Sequence, residues 1–283
     1  MKKYWKYIMM VLAVGLLAAC EVIPENEQIK EVFTPTDPSA VIRTSLLIEY
    51  SGWQCVNCPF AAEEAHRLKE EYGESLVVVV MHPESNPNTS YTNNKGKVDE
   101  SVKQYICSEA DSIYLMMGGT NVTSFPTGNI NMVKDEVKSY FTSFEKWGTY
   151  ISQSYSTSKP VIIGQEVKGR ADSKDIDVVV DITNIDTTTI EATLQVWLTE
   201  DSVIGKQKKT SGTDKNYVHN HLMRASISPI WGDTIIIDAH TTEQKTYQYP
   251  LPEKVITENC NIVALVSVNG EVVQAKETKI TIE

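Results

Sequence analysis

Ser45-Leu46-Leu47-Ile48-Glu49-Tyr50-Ser51-Gly52-Trp53-Gln54-Cys55-Val56-Asn57-Cys58-Pro59 runs from an apolar segment through a turn to a pair of cysteines. Residues 45–50 predict a strand, and Ser51-Gly52-Trp53-Gln54 predicts the turn that ends it. Pro59 suits the first turn of a helix, where a missing N–H costs little. Behind it Ala61, Ala65, Leu68 and Tyr72 fall on one helical face, Glu63, Glu64, Arg67, Lys69 and Glu70 fall elsewhere, and Gly73 stands at the C-terminal cap. Both cysteines therefore belong at a helix N-terminus. Unpaired N–H groups and the helix dipole stabilise a thiolate there, which makes Cys55, the more exposed of the two, the expected nucleophile.

Outward from this stretch the chain reads as two parts with different periodicity. Leu76-Val77-Val78-Val79-Val80-Met81 is a continuous apolar run, the pattern of a central strand covered on both faces. Val98, Val102, Tyr105 and Ile106 predict a helix, and Phe141, Phe144, Trp147 and Ile151 predict the last helix of an α/β domain at residues 39–158. From residue 159 to 283 the pattern is strand-like. Ile190, Ala192, Leu194, Val196 and Leu198 alternate with Glu191, Thr193, Gln195, Trp197 and Thr199, predicting an antiparallel sheet with one buried and one largely solvated face. Asn269-Gly270 is a type I′ hairpin pair. The expected fold of this part is an all-β, immunoglobulin-like sandwich.

The first nineteen residues carry Lys2, Lys3 and Lys6 ahead of an apolar run from Tyr7 to Ala19, too short for a mature membrane span. Leu17-Ala18-Ala19-Cys20 resembles the bacterial lipobox, which implies a signal peptide at 1–19, lipidation of Cys20 and an exported, membrane-tethered protein, periplasmic or surface-exposed; the polar composition of residues 20–38 suits a tether. Removal of residues 1–19 leaves 23 basic and 37 acidic residues, a net charge of −14. Such a surface repels nucleic acid and anionic lipid. The membrane is met through the lipid, and the compartment beyond the inner membrane lets disulfides persist.

The first part is similar to thioredoxin-fold domains on three features: the strand, turn and CxxC-helix order; Glu49, six residues before Cys55, where that fold carries a buried acid; and Ser124-Phe125-Pro126-Thr127, which resembles its cis-proline loop. With Gly52-Trp53-Gln54-Cys55-Val56-Asn57-Cys58-Pro59, Phe125-Pro126-Thr127, and Tyr217-Val218-His219-Asn220-His221 followed by Arg224, the whole chain resembles outer membrane lipoproteins related to the twenty-eight-kilodalton outer membrane protein family. The resemblance implies a thioredoxin-like domain joined to a β domain, with Cys55 as nucleophile, Cys58 as resolving thiol, Glu49 as proton acceptor and Pro126 shaping the loop beside the sulfurs. The implied partner is an unidentified envelope protein offering a thiol or disulfide. Two departures stand out. Trp53 lies one residue further from the first cysteine than usual, and residues 84–118 read as a helical insertion.

Thiol chemistry is not the only use of this pair. Cys55 and Cys58 also suit a permanent disulfide in a non-catalytic surface or adhesion lipoprotein. Zinc needs more ligands than one CxxC supplies, so no metal and no cofactor is expected. His219 and His221, two apart, would share one face of a strand. With Cys20 lipidated, Cys55, Cys58, Cys107 and Cys260 permit three pairings. No glycine-rich phosphate loop or serine-hydrolase pattern is present.

Overall fold

A computed structural model of the chain describes residues 43–91, 97–122, 124–135, 137–156, 160–170 and 173–282. The expected signal peptide at 1–19, Cys20 and the expected tether at 20–38 lie outside these residues. The elements in order are β1 (Ser45–Tyr50), α1 (Cys58–Tyr72), β2 (Leu76–Met81), α2 (Glu100–Lys103), α3 (Ser108–Met116), β3 (Thr127–Ile130) and α4 (Trp147–Ser154). Strands then follow almost alone: β4 (Val161–Gly169), β5 (Asp175–Asn184), β6 (Ile190–Glu200), β7 (Val203–Lys209), β8 (Gly212–His219), β9 (Leu222–Ser226), β10 (Asp233–Ile237), β11 (Thr242–Pro250), β12 (Cys260–Val268), β13 (Glu271–Lys279) and β14 (Thr281–Ile282).

Strands from both stretches of chain share one sheet. Its order is β13-β12-β6-β9-β2-β1-β3, with β10 also paired to β6. β1 runs parallel to β2 and antiparallel to β3, and the junction is a short parallel contact between Val80 of β2 and Leu222 of β9. The Val80 amide donates to the His221 carbonyl at 2.8 Å at the same point. The division expected near residue 158 thus separates two chain segments that a single sheet rejoins. A second sheet, β11-β5-β4-β14, stacks on the first in a sandwich-like arrangement, and β7 and β8 form a separate hairpin.

Three groups of buried apolar side chains explain the layers. Ile163, Val178, Val180 and Ile182 of the second sheet meet Leu194, Val196, Ile262 and Ala264 of the first. Leu47 and Val78 pack against Ala61, Ala65 and Leu68 of α1 and Trp147 and Ile151 of α4. On the other face Ile48, Val77, Trp197, Val263 and Leu265 pack with Ile113 and Tyr114 of α3. The expectation of a largely solvated second face on β6 holds at Glu191 and fails along the rest of the strand, where Gln195, Trp197 and Thr199 are buried. The alternation was read as if the strand had one partner layer, whereas the insertion carrying α3 supplies a second.

Local differences from the sequence reading have simple causes. The helix expected over 98–106 is only the four residues of α2, and a new helix begins after Cys107. Strand β3 stops at Ile130, because Asn131 and Met132 both have positive φ. Asn269 and Gly270 have φ values of 52° and 83° and close the β12–β13 hairpin, matching the type I′ expectation.

Candidate functional site

α1 delivers the cysteine pair to the end of β1. Cys58 is the first residue of the helix, Asn57 precedes it as N-cap, and Pro59 occupies the first turn. Cys55 and Cys58 are joined in a disulfide with their Cα atoms 5.4 Å apart. Cys107 and Cys260 are free thiols. The Cys55 amide donates to the Gly52 carbonyl at 3.0 Å, and the Gln54 amide donates to the Asn88 carbonyl at 3.0 Å. Trp53 lies along the same loop, its indole N–H donating to the Ser90 carbonyl at 3.0 Å. The Phe125–Pro126 peptide is cis, and Phe125 shares a buried cluster with both cysteines.

The pair is covered. Cys55 is 4 % and Cys58 2 % exposed, and part of that cover is the β7–β8 hairpin. Buried Gln207 donates from Nε2 to the Cys55 carbonyl at 2.8 Å and to the Gly52 carbonyl at 3.3 Å. The next residue adds two contacts: the Lys208 amide donates to the Trp53 carbonyl at 2.7 Å, and its Nζ donates to Gln54 Oε1 at 3.2 Å. The middle of β7 is fixed on the segment around α2, where the Lys206 amide donates to the Tyr105 hydroxyl at 2.6 Å and Lys206 Nζ pairs with Asp99 at 2.6 Å. Gly205 permits this approach, because a Cβ there would lie 1.5 Å from the Tyr105 hydroxyl oxygen. Gly205→Ala is expected to push the hairpin off the site at a cost of about 1–3 kcal/mol. Denaturant midpoints, with faster proteolysis inside residues 203–219, would show it.

Glu49 lies on β1 between Val80 of β2 and Gly128 of β3. It is 1 % exposed. Burial pushes its pKa up to about 8, with a hydrogen bond from Ser51 acting in the opposite direction. Its Oε2 makes no hydrogen bond among the described residues. Glu49 and Cys58 open onto a common cleft of about 180 Å³ between α1 and β8, walled also by His82, Tyr217 and His219.

Two histidines missed by the sequence reading as partners meet here. The rings of His82 and His219 lie 5.6 Å apart in an edge-on contact. His219 Nε2 donates to the Lys206 carbonyl at 3.3 Å. Burial pushes the His219 pKa down to about 4 and holds His82 well below the usual imidazole range, the latter also through the proximity of His219. The expectation that His219 and His221 share a strand face is overturned. β8 ends at His219, and His221 sits in the following turn with φ of 56°, where its Nδ1 lies 3.3 Å from Asp201. Among the described residues no group of three or more His, Cys, Asp or Glu side chains is placed to hold a metal ion.

Residues 117–283 match the family model described as outer membrane protein Omp28. The chain belongs to this family. It is accordingly an outer membrane protein, and among the described residues no helix is long and apolar enough to cross a membrane. HBP35 of Porphyromonas gingivalis is similar in fold, with a TM-score of 0.66 at 15 % identity over 85 % of this chain and 76 % of that one. A domain of the outer membrane lipoprotein Omp28 from the same organism is 22 % identical over 45 % of this chain and 93 % of that one, with a TM-score of 0.34. No curated protein matches the sequence. The Omp28 match starts after the cysteine pair, so the site is composite: the earlier segment supplies Glu49, Cys55, Cys58 and His82, and the Omp28 region supplies Gln207, Lys208 and His219.

The remaining thiols stand apart from this chemistry. Cys107, at the N-cap of α3, donates to Glu109 Oε2 at 3.2 Å, and Cys260, opening β12, donates to the Ile256 carbonyl at 3.3 Å. Burial pushes both thiols up to about 12, so they stay protonated and poorly reactive at neutral pH.

Proposed function

We propose that this Omp28-family protein is lipid-anchored through Cys20 and that its Cys55–Cys58 site, thioredoxin-like in setting, exchanges disulfides with a protein partner in the cell envelope. The observation carrying this reading is the buried Glu49 carboxyl in the same cleft as Cys58. A carboxyl with a pKa of about 8 is closely matched to a thiol, the condition under which proton transfer between the two is efficient. A disulfide serving only as a staple has no use for such a group, and keeping it buried costs stability.

In the reduced protein the Cys55 thiolate attacks one sulfur of the partner's disulfide, and the partner's other sulfur leaves as a thiolate. Cys58 then passes its proton to the Glu49 carboxylate and attacks the Cys55 sulfur. The Cys55–Cys58 bond reforms, the second partner sulfur departs, and two electrons have moved to the partner. The reverse sequence oxidises a partner dithiol. Pro126 ends the loop that brings Phe125 against the pair.

The competing reading, a static disulfide in a non-catalytic surface lipoprotein, is favoured by the burial of both sulfurs and by the Gln207 clamp. Trapping separates the two. Cys58→Ala is expected to accumulate mixed disulfides through Cys55 with envelope proteins, visible by non-reducing electrophoresis and mass spectrometry, whereas Cys55→Ala yields none. A Cys55–Cys58 bond that survives excess dithiothreitol in the folded protein, with no trapped partner, would sink the exchange reading.

A further inference from the structure

Within the cleft that Cys58 and Glu49 share, disulfide exchange leaves His82 without a part. It is 2 % exposed, and neither ring nitrogen has a hydrogen-bond partner among the described residues. The rings of His219 and Tyr105 meet it edge-on, at 5.6 Å and 5.8 Å. A buried polar group without partners costs about 1–3 kcal/mol. An aromatic hydrocarbon ring would fill the same place without that cost, so packing does not explain an imidazole here.

The cleft gives the ring something to do. Its deep end holds Cys58, Glu49, His82 and His219, and its outer edge holds exposed Glu63 and His66 of α1. The volume, with the polar groups of Glu49, Ser51, His82 and His219 on its walls, suits several waters. A neutral imidazole offers one donor and one acceptor nitrogen, so it can take a proton at one side and release one at the other without carrying net charge in the buried space. Glu49 can accept the Cys58 proton only after losing its own, and at 1 % exposure it meets solvent only through the cleft.

Resting on the exchange reading, we propose that His82 is a positioning residue that connects Glu49 through the cleft to solvent and lets a proton leave Glu49 for bulk water before the Cys58 proton arrives. Cys58 Sγ gives its proton to the Glu49 carboxylate as its sulfur attacks Cys55. Before this transfer, cleft water and the His82 ring carry the proton that Glu49 holds at rest outward past Glu63 and His66, which leaves the carboxylate open to the Cys58 proton. No electron moves in either transfer, and Glu49 ends protonated, as at rest.

The test follows two thiolate releases in a Cys107→Ala, Cys260→Ala background. Reduced protein mixed with Ellman's reagent releases one thionitrobenzoate as Cys55 is modified and a second as Cys58 resolves the mixed disulfide. His82→Phe is expected to fold with an unchanged or raised melting temperature, to leave the first release within twofold, and to slow the second by tenfold or more. His82→Gln should slow the second release likewise, and added imidazole should restore part of the rate in both. Because His82 acts through Glu49, the pair Glu49→Gln, His82→Phe should be no slower than Glu49→Gln alone. An unchanged second release, equal slowing of both releases, or additive effects in the pair would overturn the relay while leaving exchange intact. Absence of the first release in the parent protein would overturn the exchange reading and the relay with it.

Discussion

Trp197→Ala is expected to destabilise the protein by about 3–5 kcal/mol, the range for removing a large aromatic side chain from a packed core. Trp197 is fully buried on β6, in the cluster that also contains Ile48, Val79, Cys58, Ile113 and Phe125. It therefore belongs to the C-terminal stretch of chain while packing beside the first. If the two parts were independent, its loss would lower one of two transitions. Because the sheet is continuous from β13 to β3, a single transition should move as a whole, with Cys55–Cys58 becoming reducible at the same denaturant concentration. The indole Nε1 has no hydrogen-bond partner among the described residues, so Trp197→Phe should recover most of the loss. Urea unfolding followed both by far-ultraviolet dichroism and by thiol labelling would check this. Two separated midpoints would show that the parts unfold independently.

The same tryptophan shows where sequence reasoning stops. β1, the turn, α1 and its Gly73 cap were legible because an apolar run, a turn and a 3.6-residue periodicity follow one another, and Pro59 fixes where the helix starts. The Asn269-Gly270 turn was legible for a similar reason, its φ values being open mainly to those residue types. Alternation on β6 was read correctly for the sandwich face and incorrectly for the other, since a period of two shows that the faces differ and does not show what covers each. A tryptophan on the face assigned to solvent was the local sign that something did. Gln207 had no sign at all. It stands in Lys206-Gln207-Lys208-Lys209, and its burial is created only by carbonyls of a turn some 152 residues earlier in the chain. His82 and His219 meet by the same long-range docking, so Glu49, Cys55 and Cys58 could be nominated from sequence but the walls of their cleft could not.

Stability against pH should peak near pH 6.5, with each limb assigned to a different group. Glu49 has a folded pKa of about 8, above its ordinary 4.5. Between those values the folded protein retains a proton that the unfolded chain has released, so this group lowers stability progressively as pH rises from about 4.5 to 8. At about 1.4 kcal/mol per unit the whole span amounts to about 4–5 kcal/mol. The histidines act oppositely. His219 falls to about 4 in the folded state and His82 lies well below its ordinary value, so acidification through pH 6.5 protonates the unfolded chain first and lowers stability. Below pH 6.5 two histidines oppose one carboxyl, and the net slope favours unfolding as pH falls. Above it, up to about pH 8, the carboxyl dominates, and the two buried thiols add to the decline only as pH approaches 9. Glu49→Gln should therefore abolish the decline between pH 6.5 and 8, steepen the acid limb, and leave the variant about 4–5 kcal/mol more stable than the parent near pH 8.5. Urea midpoints at intervals from pH 5 to 8.5 would measure it, and parallel curves for parent and variant would refute the assignment. The same substitution should slow resolution of the mixed disulfide by about 100-fold or more, the range for loss of a positioned proton acceptor. A variant that becomes more stable while losing exchange is the outcome expected when a buried carboxyl is kept for chemistry at the expense of the fold.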